Sequence, residues 1–156
     1  MSIRAILSMV AHFDMELQQM DVKAAFLHGF LDEVIYMDQP EGYVDPKHPD
    51  KVCLLKRSLY GLKQSPRQWN NRFNEFLMSH GYNRSEYDSC VYFKELKNGE
   101  YIYLLLYVDD ILTTSKNKLQ VCELKVLLSS EFEMKDLGDA KKILGMKSLG
   151  IELKVR

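Results

Sequence analysis

Apolar residues recur along this chain with two different periods, and the places where one period gives way to the other mark its elements. Ile3, Ile6, Leu7, Val10 and Phe13 fall at helical spacing behind Ser2, a capping residue, so a helix is expected over residues 2–14. Residues 16–22 read as a short strand, and 34–37 and 52–55 as two more. Between them lie Gln39-Pro40-Glu41-Gly42 and the proline-containing stretch 45–50, both loop chemistry. Ser65-Pro66 starts the best-defined helix: the hydroxyl can cap, and the missing proline N–H costs nothing in a first turn. Trp69, Phe73, Phe76 and Leu77 form its buried stripe and Gly81 its stop. Residues 91–95 and 101–108 should pair as a hairpin through Asn98-Gly99. A strand at 111–115, a helix capped by Asn117 that buries Leu119, Cys122, Val126 and Leu127, and a short strand at 141–146 complete the pattern.

Strands and helices thus alternate, with a meander in the second half. The expected class is α+β, a largely antiparallel sheet with helices packed on one face. One interruption within it carries chemistry. The apolar run 101–108 meets Asp109 and Asp110, then resumes as Ile111-Leu112-Thr113-Thr114. Adjacent carboxylates at a hairpin tip repel each other and lose hydration unless a cation lies between them and a further ligand. The alternative is an ordinary tight turn, although Asp-Asp suits a primed turn poorly, because both central positions need positive φ. The pattern alone leaves both readings open. Asp21, at the end of the strand 16–22, adds a third carboxylate if that strand pairs beside the hairpin. Magnesium suits such a set, since it combines few carboxylates with substrate phosphates and water.

Composition narrows the field. At 156 residues, 46% of them hydrophobic, the chain has the size and apolar content of one ordinary domain with one core. A net charge of -1 lacks the basic excess usual in nucleic-acid binders, but it hides segregation. Residues 1–50 carry a net -6, 51–84 a net +6, 85–115 a net -4 and 116–156 a net +3. A basic block between two acidic ones can set a phosphate-binding surface beside a cation site; solvated helix faces give the same distribution. Cys53, Cys90 and Cys122 are far apart and lack zinc-ligand spacing, which argues against a disulfide framework or zinc site and fits a reducing intracellular compartment. The apolar stretch 5–11 leads into acidic sequence without a cleavage site, and the run 101–108 is too short for a bilayer, so a soluble protein without a signal peptide is expected.

Four ordered blocks then resemble one family. They are Gln19-Met20-Asp21-Val22-Lys23-Ala24-Ala25-Phe26-Leu27-His28-Gly29, Ile35-Tyr36-Met37-Asp38-Gln39-Pro40-Glu41-Gly42-Tyr43, Ser58-Leu59-Tyr60-Gly61-Leu62-Lys63-Gln64-Ser65-Pro66-Arg67-Gln68-Trp69 and Leu106-Tyr107-Val108-Asp109-Asp110-Ile111. In order and spacing they resemble the reverse transcriptase (RNA-dependent DNA polymerase) domain of copia-type LTR retrotransposon Pol polyproteins. Residues 137–146 are similar to that family's next block, whereas 147–156 depart from it.

The resemblance implies a polymerase palm-like fold and templated nucleotidyl transfer to a primer 3′-hydroxyl. Two Mg2+ ions serve the reaction, with Mn2+ as an alternative. Asp21 and Asp109 match the catalytic metal ligands, Asp110 the third acid, and Val22 a backbone carbonyl ligand. Phe26 matches the aromatic gate under the incoming sugar. Tyr60 and Gly61 match the nucleotide-binding loop, Tyr60 standing where retroviral enzymes carry glutamine. Lys63, Gln64, Ser65, Pro66 and Arg67 match the template and primer contacts. The implied partners are an RNA or DNA template, a DNA primer, deoxynucleoside triphosphates and the other Pol domains, with no membrane. The implied location is intracellular: the cytoplasm or retroelement particles, with access to the nucleus.

On the same resemblance residues 1–156 read as one partial domain, a palm core with part of the fingers. The remaining fingers, the thumb and ribonuclease H are expected outside it, and synthesis by the chain alone is expected to be weak or absent. Two alternatives stay open. One is a non-catalytic nucleic-acid-binding module that stacks bases on Tyr101, Tyr103 and Tyr107, which requires those rings to be exposed. The other is an inactive retroelement relic.

Overall fold

A computed structural model describes residues 2–140, 142–143 and 146–147. In chain order its elements are α1 (Ser2–Phe13), β1 (Glu16–Val22), a 3-10 turn (Ala25–His28), β2 (Tyr36–Met37), β3 (Cys53–Leu54), α2 (Ser65–Ser79), β4 (Asn83–Arg84), β5 (Val91–Glu95), β6 (Tyr101–Tyr107), β7 (Asp110–Ser115), α3 (Lys118–Glu131), β8 (Met134–Asp139), β9 (Lys142–Ile143) and β10 (Met146–Lys147). They fall into two compact units, Met1–Ala24 with Asn74–Arg156, and Ala25–Phe73.

The first unit is built on a six-stranded sheet in the order β4-β5-β6-β7-β1-β8, with every neighbouring pair antiparallel. Side chains alternate across a strand, so the register sorts this sheet into two faces. Leu17, Gln19 and Asp21 of β1 share a face with Asp110, Leu112 and Thr114 of β7 and with Tyr103, Leu105 and Tyr107 of β6. The helix α1 covers part of that face, packing Ile6 and Val10 against Leu17, Leu105 and Leu112. Gln18, Met20, Ile111 and Thr113 point the other way, where Lys125 of α3 meets Gln18. Mixed helix and antiparallel sheet agree with the α+β class. The expectation of helices on one face does not hold, because α1 and α3 lie on opposite faces. Both faces of the central strands are apolar enough to need a cover.

Three further differences have local causes. The helix α3 begins where Asn117 accepts a hydrogen bond from the Leu119 N–H, as expected, but it buries Val121, Leu124 and Leu128 and leaves Leu119, Cys122 and Val126 exposed. Its apolar residues run round most of the helix, so periodicity could not choose the inner stripe. The strand β8 falls in the polar stretch Met134-Lys135-Asp136-Leu137-Gly138-Asp139, which lacks alternation; a register shift against β1 and positive φ at Gly138 explain why. The β5–β6 connection is wider than a two-residue turn: the Leu96 N–H donates to the Glu100 carbonyl and the Gly99 N–H to that of Leu96. Within the stretch 141–146, residues 142–143 pair with 146–147 as β9 and β10, while 141, 144 and 145 lie outside the described residues.

In the second unit β2 and β3 pair, with Tyr36 opposite Leu54. The loop between them is organised by Gln39, whose amide donates to the carbonyls of His48 and Lys51 and accepts from the Asp45 N–H. Trp69 and Phe73 are buried and in ring contact, as the helical stripe requires. Gly29 lies close against α2: a Cβ there would stand 3.0 Å from the Gln68 Cβ and 3.1 Å from the Trp69 nitrogen. Among the described residues no helix is long and apolar enough to cross a membrane.

Candidate active site

The three aspartates gather at one end of the central strands, all within the first unit. Asp21 closes β1 directly opposite Asp110, the first residue of β7. Tyr107 pairs with Asp110, so the two-residue turn of the hairpin is Val108-Asp109, not Asp109-Asp110. The primed-turn objection to an Asp-Asp pair therefore falls away. Only the first central position has positive φ, and it is occupied by Val108 at 56°. That conformation crowds a β-branched side chain. The turn is tied to β1 by the Val22 N–H, which donates to the Asp109 carbonyl at 2.8 Å.

The charges at this end are poorly balanced. Partial burial pushes the Asp21 carboxyl above its ordinary range, repulsion from Asp109 and Asp110 pushes it further, and Lys135 opposes both. Lys135 stands opposite Asp21 on β8. One neutral donor joins the cluster: the amide of Gln19 hydrogen-bonds the Asp110 Oδ1 at 3.0 Å. Among the described residues, no three His, Cys, Asp or Glu side chains form a group able to hold a metal ion by themselves. The aspartates are thus adjacent and electrostatically coupled, without forming a closed protein cage.

The other residues expected at the site lie in the second unit. Phe26 is buried and packs on Tyr60 with ring centroids 4.2 Å apart, while Tyr60 itself is exposed. Gly61 has φ 97° and open space beside its Cα, so its glycine is required by backbone conformation and not by a close approach. Lys63, Pro66 and Arg67 are exposed and Gln64 half-buried. Ser65 differs. It is fully buried, accepts from the Ser58 hydroxyl and donates to the Leu59 carbonyl, which closes the loop ahead of α2 instead of capping the helix.

Comparison with known proteins decides the lineage. The family model described as reverse transcriptase (RNA-dependent DNA polymerase) matches residues 1–154. The chain belongs to the reverse transcriptase family. It is 53% identical over 146 residues, 94% of its length, to the Retrovirus-related Pol polyprotein from transposon TNT 1-94 of Nicotiana tabacum, and 36% identical over 94% of its length to that from transposon RE2 of Arabidopsis thaliana. A putative transposon Ty5-1 protein of Saccharomyces cerevisiae is 40% identical over 81% of the chain and is covered over 41% of its own length. The chain spans 11% and 10% of the two plant polyproteins. No solved structure matches it. The resemblance to copia-type retrotransposon Pol polyproteins is borne out.

Sequence reasoning passed over two polar residues at the aspartate end. Gln19 was legible, because it lies two positions before Asp21 and so shares its face. Lys135 was not, since it reaches Asp21 only through β8. The tyrosines divide: Tyr101 is 38% and Tyr107 54% exposed, whereas Tyr103 is half-buried and packs at the edge of the α1 cluster.

Proposed function

We propose that the aspartate end of the sheet is the catalytic centre of templated nucleotidyl transfer, adding a deoxynucleotide to a primer 3′-hydroxyl with release of pyrophosphate. The observation that carries this reading is the pairing of Asp21 with Asp110 beside the Val108-Asp109 turn, in a chain of the reverse transcriptase family. The donor set suits divalent cations. It consists of hard oxygen ligands, bears an electrostatic burden that Lys135 only partly offsets, and leaves coordination positions for phosphate and water. Asp21 and Asp109 would hold the ions, with Asp110 and the Val22 carbonyl completing the set. Two such ions, when bound, neutralise triphosphate charge and make the primer hydroxyl more acidic.

The protein's own share is positioning. The antiparallel pairing fixes the spacing of Asp21 and Asp110, and the Val22 amide holds the turn that carries Asp109. In the second unit, Phe26 and Tyr60 form an aromatic pair suited to a nucleotide, and exposed Lys63 and Arg67 suit template or primer phosphates. No protein nucleophile is required. A base-stacking sheet is less well supported, because α1 lies over part of the tyrosine face and Asp110 shares its Tyr107 end.

Mn2+ binding and primer extension on an RNA template test the proposal. Asp109→Asn should lower Mn2+ affinity in this chain and, in a longer Pol polyprotein whose parent extends primers, reduce extension by at least ~10² to 10³-fold, the usual loss on removing one group that stabilises a transition state. Unchanged Mn2+ affinity together with retained extension would refute it. The same assay on the isolated chain tests the expectation that its own synthesis is weak or absent, which robust extension overturns.

A further inference from the structure

The face of the sheet that carries Asp21 and Asp110 changes character along β1. Leu17 belongs to the apolar cluster under α1, and Asp21 stands at the open end. Gln19 lies between them, opposite Leu112 on β7 and Gly138 on β8. Only 8% of it is exposed. A leucine at this position would extend the α1 cluster, and a lysine would partly neutralise the aspartates. Glutamine does neither: its amide donates to the Asp110 Oδ1 across the diagonal of the β1–β7 pair, a span that a long side chain can cover.

We infer that Gln19 is a positioning residue for Asp110, holding one carboxylate oxygen and leaving the other available to a divalent cation. This rests on the proposed catalytic centre, in which Asp110 completes the set held by Asp21 and Asp109. A neutral donor restrains the carboxylate without subtracting from the negative charge that attracts the cation. Groups that orient metal ligands in this manner typically contribute 10 to 100-fold to metal affinity or activity. The role is distinct from that of Lys135, which acts on Asp21 through charge.

The test uses the full chain and two readouts besides polymerase activity. In the metal-free protein, the side-chain amide resonance of Gln19, assigned by its loss in Gln19→Leu, should move upfield in Asp110→Asn, because a neutral acceptor replaces a charged one. Mn2+ binding followed by electron paramagnetic resonance should weaken about 10 to 100-fold in Gln19→Leu, with the melting temperature held or raised. Gln19→Glu, which removes the donor but adds charge, should not restore the Asp110-dependent part. In an Asp110→Asn background, Gln19→Leu should have little further effect, because the residue acts through Asp110. Equal Mn2+ affinity in parent and Gln19→Leu, an amide resonance indifferent to Asp110→Asn, or an undiminished effect in the Asp110→Asn background would overturn the inference. A parent chain that binds no Mn2+ would overturn the catalytic-centre reading and the positioning role with it. A parent that binds beside a Gln19→Leu variant that binds equally overturns the positioning role alone.

Discussion

Replacing Asp21 by asparagine should stabilise the metal-free protein while removing a ligand from the proposed centre. Asparagine keeps the shape of the side chain and deletes its charge. Asp21 faces Asp110 directly across the sheet, with Asp109 in the adjoining turn and Lys135 attracting from the other side. Like charges directly opposite in an antiparallel pair cost roughly 0.2–1 kcal/mol. Two repulsive partners less one attractive partner therefore leave a net relief of about 0.2–1 kcal/mol, with solvent screening favouring the lower end. In a domain of this size that is up to ~4 °C in melting temperature.

The sign with pH follows from the raised carboxyl of Asp21. A group whose folded pKa is raised binds its proton more tightly in the folded state. Its penalty is absent below the unfolded value of 3.8, grows as pH rises towards the folded value, and is complete above it. The advantage of Asp21→Asn should therefore be present at pH 7 and vanish near pH 3. Thermal melts in EDTA at low salt measure it. One molar NaCl, with a Debye length of about 3 Å, should remove the part due to Asp109 and Asp110 and leave the part due to burial. Added Mg2+ should reverse the order, since at ten times its Kd the parent gains about 1.4 kcal/mol that the variant cannot match. A variant that melts below its parent in EDTA, or a gain that high salt does not reduce at all, would refute the account of this end as a charge-strained site.

Other outcomes follow from single contacts. Lys125 is mostly buried, ion-pairs with Asp136 at 2.5 Å and donates to the Gln18 Oε1 at 3.0 Å, so Lys125→Met should cost about 1–2 kcal/mol in urea denaturation at pH 7. The Lys125 hydrogen bond lowers the Asp136 carboxyl, so the Asp136 share of this stability is present above pH 3.8 and lost as pH falls through the folded value; the gap between parent and variant should narrow in acid to the share held by Gln18. Gly29→Ala drives a methyl against the α2 backbone and should cost about 1–3 kcal/mol, read by Trp69 fluorescence during unfolding. Val108→Gly relieves the positive φ of the turn and should raise stability by about 1 kcal/mol, seen as a higher melting temperature in EDTA.

Much of the architecture was legible in residue order because its signals are local. The strand Glu16–Val22, the Ser65 helix start, the buried Trp69-Phe73-Phe76-Leu77 stripe and the Asn117 cap each arise from residues within a few positions of one another, where neighbouring residues decide the conformation. The aspartates were legible too, as an acidic break in an apolar strand with a third carboxylate upstream, and the ordered blocks gave the lineage. Tertiary structure decided what depends on partners distant in sequence. The inner stripe of α3 was chosen by the sheet it covers, and the two faces of that sheet by α1 and α3 together. The turn at Val108-Asp109 was set by the register of Tyr107 with Asp110. The electrostatics of Asp21 needed β8, a polar strand without alternation that forms by pairing with β1 and brings Lys135 opposite the carboxylate. Hydrogen-bonded pairing between segments more than a hundred residues apart leaves little trace in local sequence, and that pairing sets the charge balance of the proposed catalytic end.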